Sequence, residues 1–326
     1  GGTRDNRWIL IDISDHETSE YRILAADDPA AQPRLVAARE TGLEYSLEDG
    51  GDEFFILTNA DGAKDFKVMT APTADPARAH WRELVPHEPG RLILSILGFR
   101  DFLVRLERKD GLPRIVVRER ASGEEHVIAF DEEAYSLGLS GSYEYDTDFV
   151  RFTYSSMTTP AQVFDYDMRT RERRLLKTQE VPSGHDAGDY ITRRLMAPAP
   201  DGELVPVSLV YRRETRHDGS APCLLYGYGA YGITVPAAFN TNILSLVDRG
   251  FIYAVAHIRG GKDKGYAWYE EGRRASKPNS FSDFVAVAEH LVAERYTAHD
   301  RVVAQGGSAG GMLMGAIANM APDRFG

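Results

Sequence analysis

A serine set among glycines lies near the end of the sequence, in the order Gly306-Gly307-Ser308-Ala309-Gly310-Gly311. The order matches the G-x-S-x-G nucleophile elbow, in which a serine occupies a strained turn between a strand and a helix. Glycines two residues to either side let neighbouring chain segments approach without a Cβ clash. At a helix N-terminus, the dipole and free N–H groups favour the charge that develops on an attacked carbonyl oxygen. The predicted nucleophile is Ser308, and the N–H of Ala309 is the natural first oxyanion donor.

A glycine-rich turn can also serve packing alone or hold a phosphate. The glycines do not form G-x-G-x-x-G and no P-loop lysine follows, so nucleotide binding is disfavoured. A second motif supports catalysis: Leu225-Tyr226-Gly227-Tyr228-Gly229-Ala230-Tyr231-Gly232 follows the predicted third strand of the sheet, where hydrolases build the other half of the oxyanion hole. A Tyr hydroxyl there could donate to the oxyanion, although aromatic residues among glycines also occur in packed turns.

The elements that must position these motifs alternate in an α/β pattern from Asp189 onward. Strands are predicted at Tyr190 to Ala197, Val205 to Tyr211, Pro222 to Leu225, Phe251 to Ala256 and Arg301 to Gln305. Helices are predicted at Thr241 to Asp248, from Ser280 onward and at Met312 to Met320. Ser280 with Asp283 has the spacing of a capping box. The alternation predicts a doubly wound, mainly parallel sheet.

The first half of the sequence contains a repeat. A strand-like segment recurs with an offset of 48 residues, and a second and a third strand follow each copy. The copies begin at Phe54, Phe102 and Val150, the partner strands at Phe66, Arg114 and Gln162, and the third strands at Trp81, His126 and Arg174; an earlier copy begins at Trp8. A period of about 40 to 50 residues with about four short strands is typical of a β-propeller blade. A β-sandwich with coincidental spacing is the alternative.

Composition limits the functions that need to be considered. With 326 residues and 43% hydrophobic content, the chain can form one large or two ordinary cores. A net charge of -11 disfavours nucleic acid or an anionic membrane as partner, and no apolar run approaches the roughly 20 residues that a membrane helix needs. The single cysteine, Cys223, excludes an internal disulfide framework and favours the cytoplasm. We expect no cofactor and no metal.

Three motifs together resemble the prolyl oligopeptidase family. Its members carry, in this order and at similar spacing, the counterparts of Tyr226–Gly229, Arg259–Gly261 and Gly306–Gly311. The resemblance implies a propeller that admits only short peptides to the active site. It also implies that Tyr228 supplies the side-chain oxyanion donor and Ala309 the backbone donor.

Within the family, Ala309, the segment Ser155–Pro160 and the segment Asp165–Met168 resemble the oligopeptidase B branch, which cleaves after Arg or Lys. Gly261-Lys262-Asp263-Lys264-Gly265 departs from the family pattern, because a further Gly and then Glu are expected there. We expect residues 1–188 to be the later blades of a larger propeller and residues 189–326 to be the first part of an α/β-hydrolase domain.

The rest of a catalytic triad is not expected within these residues. In hydrolases of this type the acid and the base follow the serine, and only 18 residues follow Ser308. His257 and His299 are rival bases, but each is more simply a turn or packing residue. We therefore expect a partial chain that is inactive alone. We also expect its beginning to be missing, so a periplasmic location is an alternative to the cytoplasm.

The predicted function is a serine peptidase that hydrolyses short peptides after Arg or Lys through an acyl-enzyme. Another serine hydrolase on the same scaffold is the alternative, such as a prolyl-specific oligopeptidase, an acylaminoacyl-peptidase or an esterase. A second alternative is a non-catalytic propeller that serves as a binding module. The sequence does not determine the oligomeric state.

Overall fold

The computed structural model describes residues 1–28, 30–140 and 144–326. The first half forms four antiparallel sheets, in each of which strands adjacent along the chain are also hydrogen-bonded neighbours. The sheets comprise β1 (Trp8–Ser14), β2 (Ser19–Ala25) and β3 (Arg34–Ala37); β4 (Tyr45–Gly50), β5 (Glu53–Thr58), β6 (Lys67–Pro72) and β7 (Arg82–Val85); β8 (Arg91–Gly98), β9 (Phe102–Lys109), β10 (Leu112–Glu119) and β11 (Glu125–Val127); and β12 (Tyr135–Ser140), β13 (Phe149–Ser156), β14 (Gln162–Asp167) and β15 (Arg173–Thr178).

Each sheet packs against the next because its strands are apolar on both faces. In β5, Phe54 and Ile56 belong to a core shared with the first sheet, whereas Phe55 and Leu57 belong to a core shared with the third. Alternate residues of a strand point to opposite faces, so one strand contributes to two cores. This is the stacking of blades that the 48-residue repeat predicts. The first strand of each of the last three sheets, β4, β8 and β12, is the one that the sequence analysis does not locate.

The turns between repeated strands have the geometry their residues favour. Asp110 and Gly111 both have positive φ, of 51° and 80°, and they join β9 to β10 with Lys109 paired to Leu112. Two such residues form the tight hairpin turn whose twist matches that of the strands. An Asp-Gly pair favours this turn, because both of its residues tolerate positive φ.

The second half forms a five-stranded sheet in the order β16, β17, β19, β18, β20. Its strands are β16 (Tyr190–Pro198), β17 (Leu204–Arg212), β18 (Cys223–Gly227), β19 (Ile252–Ala256) and β20 (Val302–Gln305), and the helices are α1 (Thr241–Val247), α2 (Tyr266–Glu270), α3 (Pro278–Ala293) and α4 (Ala309–Met320). β18, β19 and β20 are mutually parallel, and the β16–β17 hairpin extends them through an antiparallel pair. Helices cover both faces, because Leu209 packs in the core with α3 and α4 while Val210 packs with α1.

The predicted capping box at Ser280 is wrong. α3 begins two residues earlier, with Pro278 in its first turn and no side-chain cap. Proline is favoured there because its missing N–H would have no helical partner. The Ser280 hydroxyl instead donates to the Arg259 carbonyl oxygen at 2.6 Å, and Asp283 is fully buried against the Arg259 guanidinium.

Candidate active site

Ser308 lies at the junction of β20 and α4. Its backbone has φ 53° and ψ −120°, and its side chain is exposed to solvent. A non-glycine residue in such a region costs on the order of 1–3 kcal/mol, and strain of this kind clusters at functional sites. Ala309 is the first residue of α4, so its N–H has no acceptor within the helix. The exposed hydroxyl and a free backbone donor thus occupy consecutive positions of one strained turn.

The four glycines of the turn fall into two pairs. A Cβ placed on Gly306 would lie 2.5 Å from the Gly310 carbonyl oxygen, and one on Gly310 would lie 2.9 Å from the Gly227 carbonyl oxygen. At Gly307 and Gly311 a Cβ would meet nothing within 4 Å. Close backbone packing therefore requires glycine only at the positions two residues from Ser308.

The loop with Tyr228 lies beside this turn. β18 lies between β19 and β20 in the sheet, and because the three strands are parallel, the residues after them emerge at one edge. The position of a Cβ on Gly310 is 3.7 Å from both Cα and Cδ2 of Tyr228, which is half-buried. The structure thus brings the two sequence motifs into contact through Gly310.

The third motif, Arg259–Gly261, supports the loop with Tyr228. The Arg259 guanidinium is 3% exposed, and it forms a two-point ion pair with Asp283, at 2.6 Å from Nη2 to Oδ1 and 2.9 Å from Nε to Oδ2. The hydrogen bonds that the guanidinium donates to the Asp283 carboxylate outweigh burial and raise the pKa of Arg259. A Cβ on Gly260 would lie 2.0 Å from the Gly229 carbonyl oxygen, so the two backbones touch and residue 260 must be glycine.

The rival histidines have structural partners. His257 Nε2 is 2.8 Å from the Ser208 hydroxyl, and His257 Nδ1 is 3.0 Å from Asp263 Oδ1, without the alignment of a hydrogen bond. These three side chains resemble a triad in composition, but Ser208, His257 and Asp263 are 3%, 5% and 2% exposed, which prevents contact with a substrate. His299 Nε2 lies 3.4 Å from Glu289 Oε2.

The propeller contacts loops at the edge of the sheet where Ser308 lies. The Gly111 N–H, in the β9–β10 turn, donates to the Asp263 carbonyl oxygen at 2.9 Å. Asp65, which precedes β6, accepts from the Tyr266 N–H at 2.6 Å. Both partners in the second half follow the C-terminal end of β19. The segment 261–265, which departs from the family pattern, therefore forms part of the contact between the two halves, a contact that the sequence analysis does not predict.

Neither a metal site nor a membrane span is evident in the described part of the chain. Among residues 1–28, 30–140 and 144–326, no group of three or more His, Cys, Asp or Glu side chains is arranged to hold a metal ion. Within the same ranges, no helix has the length and apolar character needed to cross a membrane.

Propeller blades followed by an α/β sheet with a strained serine turn define the class of protein, an α/β hydrolase that carries a propeller. The family model for the prolyl oligopeptidase N-terminal beta-propeller domain matches residues 2–179, and the prolyl oligopeptidase family model matches residues 237–326. The chain belongs to the prolyl oligopeptidase family, whose members are serine peptidases. The predicted fold class is thereby confirmed and the β-sandwich alternative is wrong.

Individual relatives agree with this assignment. The chain is 45% identical over 326 residues to dipeptidyl aminopeptidase BI of Pseudoxanthomonas mexicana, covering all of this chain and 45% of the relative. It is 34% identical to protease 2 of Moraxella lacunata, covering 99% of this chain and 46% of the relative. The solved structure of oligopeptidase B from Leishmania major superposes with a TM-score of 0.90 at 36% identity, covering all of this chain and 47% of the other. The chain thus spans about half the length of these relatives.

Proposed function

We propose that these residues form part of a serine peptidase in which Ser308 attacks the scissile carbonyl of a short peptide. The attack forms an acyl-enzyme, which water then hydrolyses. The Tyr228 hydroxyl and the Ala309 N–H are proposed to stabilise the oxyanion. The observation that carries the proposal is the positive φ of the exposed Ser308 at the first turn of α4, next to the loop with Tyr228.

The general base and its carboxylate are proposed to lie outside these 326 residues. The relatives are about twice as long, and His257, a rival within the chain, is buried with Ser208 and Asp263. We therefore expect the complete protein to be active and the 326-residue chain alone to be inactive. Turnover by the isolated chain at the rate of the complete protein would contradict this assignment.

The test of the nucleophile is covalent labelling of the complete protein by a fluorophosphonate probe. Ser308→Ala should abolish labelling, because the probe reacts with an activated serine hydroxyl. Ser208→Ala is the matched control, since it removes the buried serine hydroxyl that is hydrogen-bonded to His257, and it should leave labelling intact. Labelling that persists in Ser308→Ala would refute the proposal, and an unlabelled wild type would favour a non-catalytic binding module.

Cleavage after Arg or Lys is proposed from the likeness to oligopeptidase B, and the net charge of -11 is compatible with basic peptides. The relative named dipeptidyl aminopeptidase favours a second candidate, release of dipeptides from a free N-terminus.

Four substrates separate the possibilities: a blocked Arg-Arg-aminocoumarin, the same compound with a free amine, a blocked Gly-Pro-aminocoumarin and a p-nitrophenyl ester. Preference for the blocked basic substrate supports an oligopeptidase, and preference for the free amine supports dipeptide release. A cytoplasmic location remains a prediction from the single cysteine.

A further inference from the structure

The ammonium group of Lys277 contacts the loop with Tyr228. Lys277 lies directly before α3, and its Nζ donates to the carbonyl oxygen of Gly229, the residue after Tyr228. A second hydrogen bond joins Nζ to the Ser280 hydroxyl at 3.2 Å. The cation is thus bound by neutral oxygens at the base of the proposed oxyanion loop.

This environment is unusual for a lysine. The side chain is half-buried, no carboxylate in the described ranges lies within ion-pair distance of it, and burial lowers the pKa of the ammonium. Burying a cation without a counter-charge is unfavourable unless its donors are satisfied. The lysine is therefore not explained by a salt bridge, and its bond to a backbone carbonyl is its main polar contact.

The Gly229 carbonyl is a position where a small displacement matters. Gly229 has φ +64°, and its oxygen touches the backbone of Gly260, where a Cβ would lie only 2.0 Å away. A glycine has access to many backbone conformations, so an isolated one would leave the direction of the preceding side chain poorly fixed. The Lys277 ammonium and the Gly260 backbone contact the same carbonyl and restrict that freedom.

We propose that Lys277 is a positioning residue for Tyr228. By fixing the Gly229 carbonyl, the ammonium holds the Tyr228 hydroxyl where the oxyanion forms, without itself contacting the substrate. The inference rests on the proposed role of Tyr228. A group that only orients an oxyanion donor should affect the chemical step more than substrate binding, because the donor acts on charge that develops in the transition state.

The test is a double-mutant cycle in the complete protein, with kcat and KM measured on the best aminocoumarin substrate. Loss of one oxyanion donor reduces kcat by about 10²–10³-fold, so Tyr228→Phe should fall in that range. Lys277→Met should lower kcat by at least about 10-fold with KM within about 2-fold, and it should have no further effect in the Tyr228→Phe background. Lys264→Met is the matched control, because that ammonium bonds to Glu203 at 2.6 Å and should leave kcat unchanged.

Chemical rescue separates positioning from general loss of packing. Lys277→Cys treated with 2-bromoethylamine regains an ammonium at nearly the same place and should recover most of the lost kcat, whereas the native Cys223 is buried and should not react. Equal kcat losses from Lys277→Met in both backgrounds, or no rescue, would overturn the positioning role while leaving Tyr228 as a donor. Full activity of Tyr228→Phe would instead refute the proposed donor and the inference with it.

Discussion

Replacing Asp283 with Asn tests how the Arg259 loop is held. Asp283 is fully buried and accepts the Arg259 backbone N–H at 2.9 Å as well as hydrogen bonds from two nitrogens of the Arg259 guanidinium. Removing one partner of a buried ion pair costs about 3–5 kcal/mol, because the other charge stays buried. Arg259 keeps a second carboxylate, Asp201, at 2.5 Å, and a contact with the Trp268 ring at 5.5 Å. We therefore expect Asp283→Asn to lower the free energy of unfolding of this loop by the lower limit of that range, about 3 kcal/mol.

The assay is hydrogen exchange by mass spectrometry, because a protein with two modules does not unfold in one step. A loss of about 3 kcal/mol corresponds to about 100-fold faster exchange in peptides that contain residues 257–261 and the first turns of α3. Asp201→Asn is the matched control: its carboxylate is 47% exposed, and a pair of that kind contributes about 0–1 kcal/mol. An increase in exchange rate of less than fivefold in Asp283→Asn would show that the buried pair does not hold the loop. A larger increase in Asp201→Asn than in Asp283→Asn would show the same.

Three further predictions concern packing, pH and reactivity. Gly310→Ala should destabilise the complete protein by about 1–3 kcal/mol through overpacking against the last carbonyl of β18, whereas Gly311→Ala, where a Cβ meets open space, should be near neutral in thermal melts. Burial would raise the pKa of Glu125, but hydrogen bonds from Arg105 outweigh it and lower that pKa to about 2 from 4.5. The stabilisation that the Glu125 carboxylate contributes is thus fully present above its ordinary pKa and is lost as the pH falls towards 2. The melting temperature of Glu125→Gln should therefore converge on that of the wild type as the pH is lowered through this range. Burial raises the pKa of Cys223 to about 12, so the native protein should resist a thiol reagent at pH 8 and react only when unfolded; rapid reaction would contradict that burial.

The sequence was most informative where local pattern determines local structure. Strands of the repeat were placed to within a few residues, because short apolar segments that recur at an offset of 48 residues can be recognised without knowledge of the tertiary structure. The nucleophile elbow was equally easy to recognise, because the close backbone contacts at Gly306 and Gly310 require glycine two residues to either side of Ser308. The same reasoning failed at Ser280 and Asp283, where a local helix signal was in fact a long-range contact with Arg259.

What the sequence could not indicate is how the loop after β19 connects distant features. At one end, Gly260 packs on the Gly229 carbonyl, beside Tyr228. Three residues further, the Asp263 carbonyl accepts the Gly111 N–H of the propeller. One short segment therefore contacts both the proposed oxyanion loop and the propeller. Gly260 keeps the family pattern, because a Cβ there would lie 2.0 Å from the Gly229 carbonyl oxygen, whereas the departure from that pattern falls on the residues next to the propeller contact of Asp263.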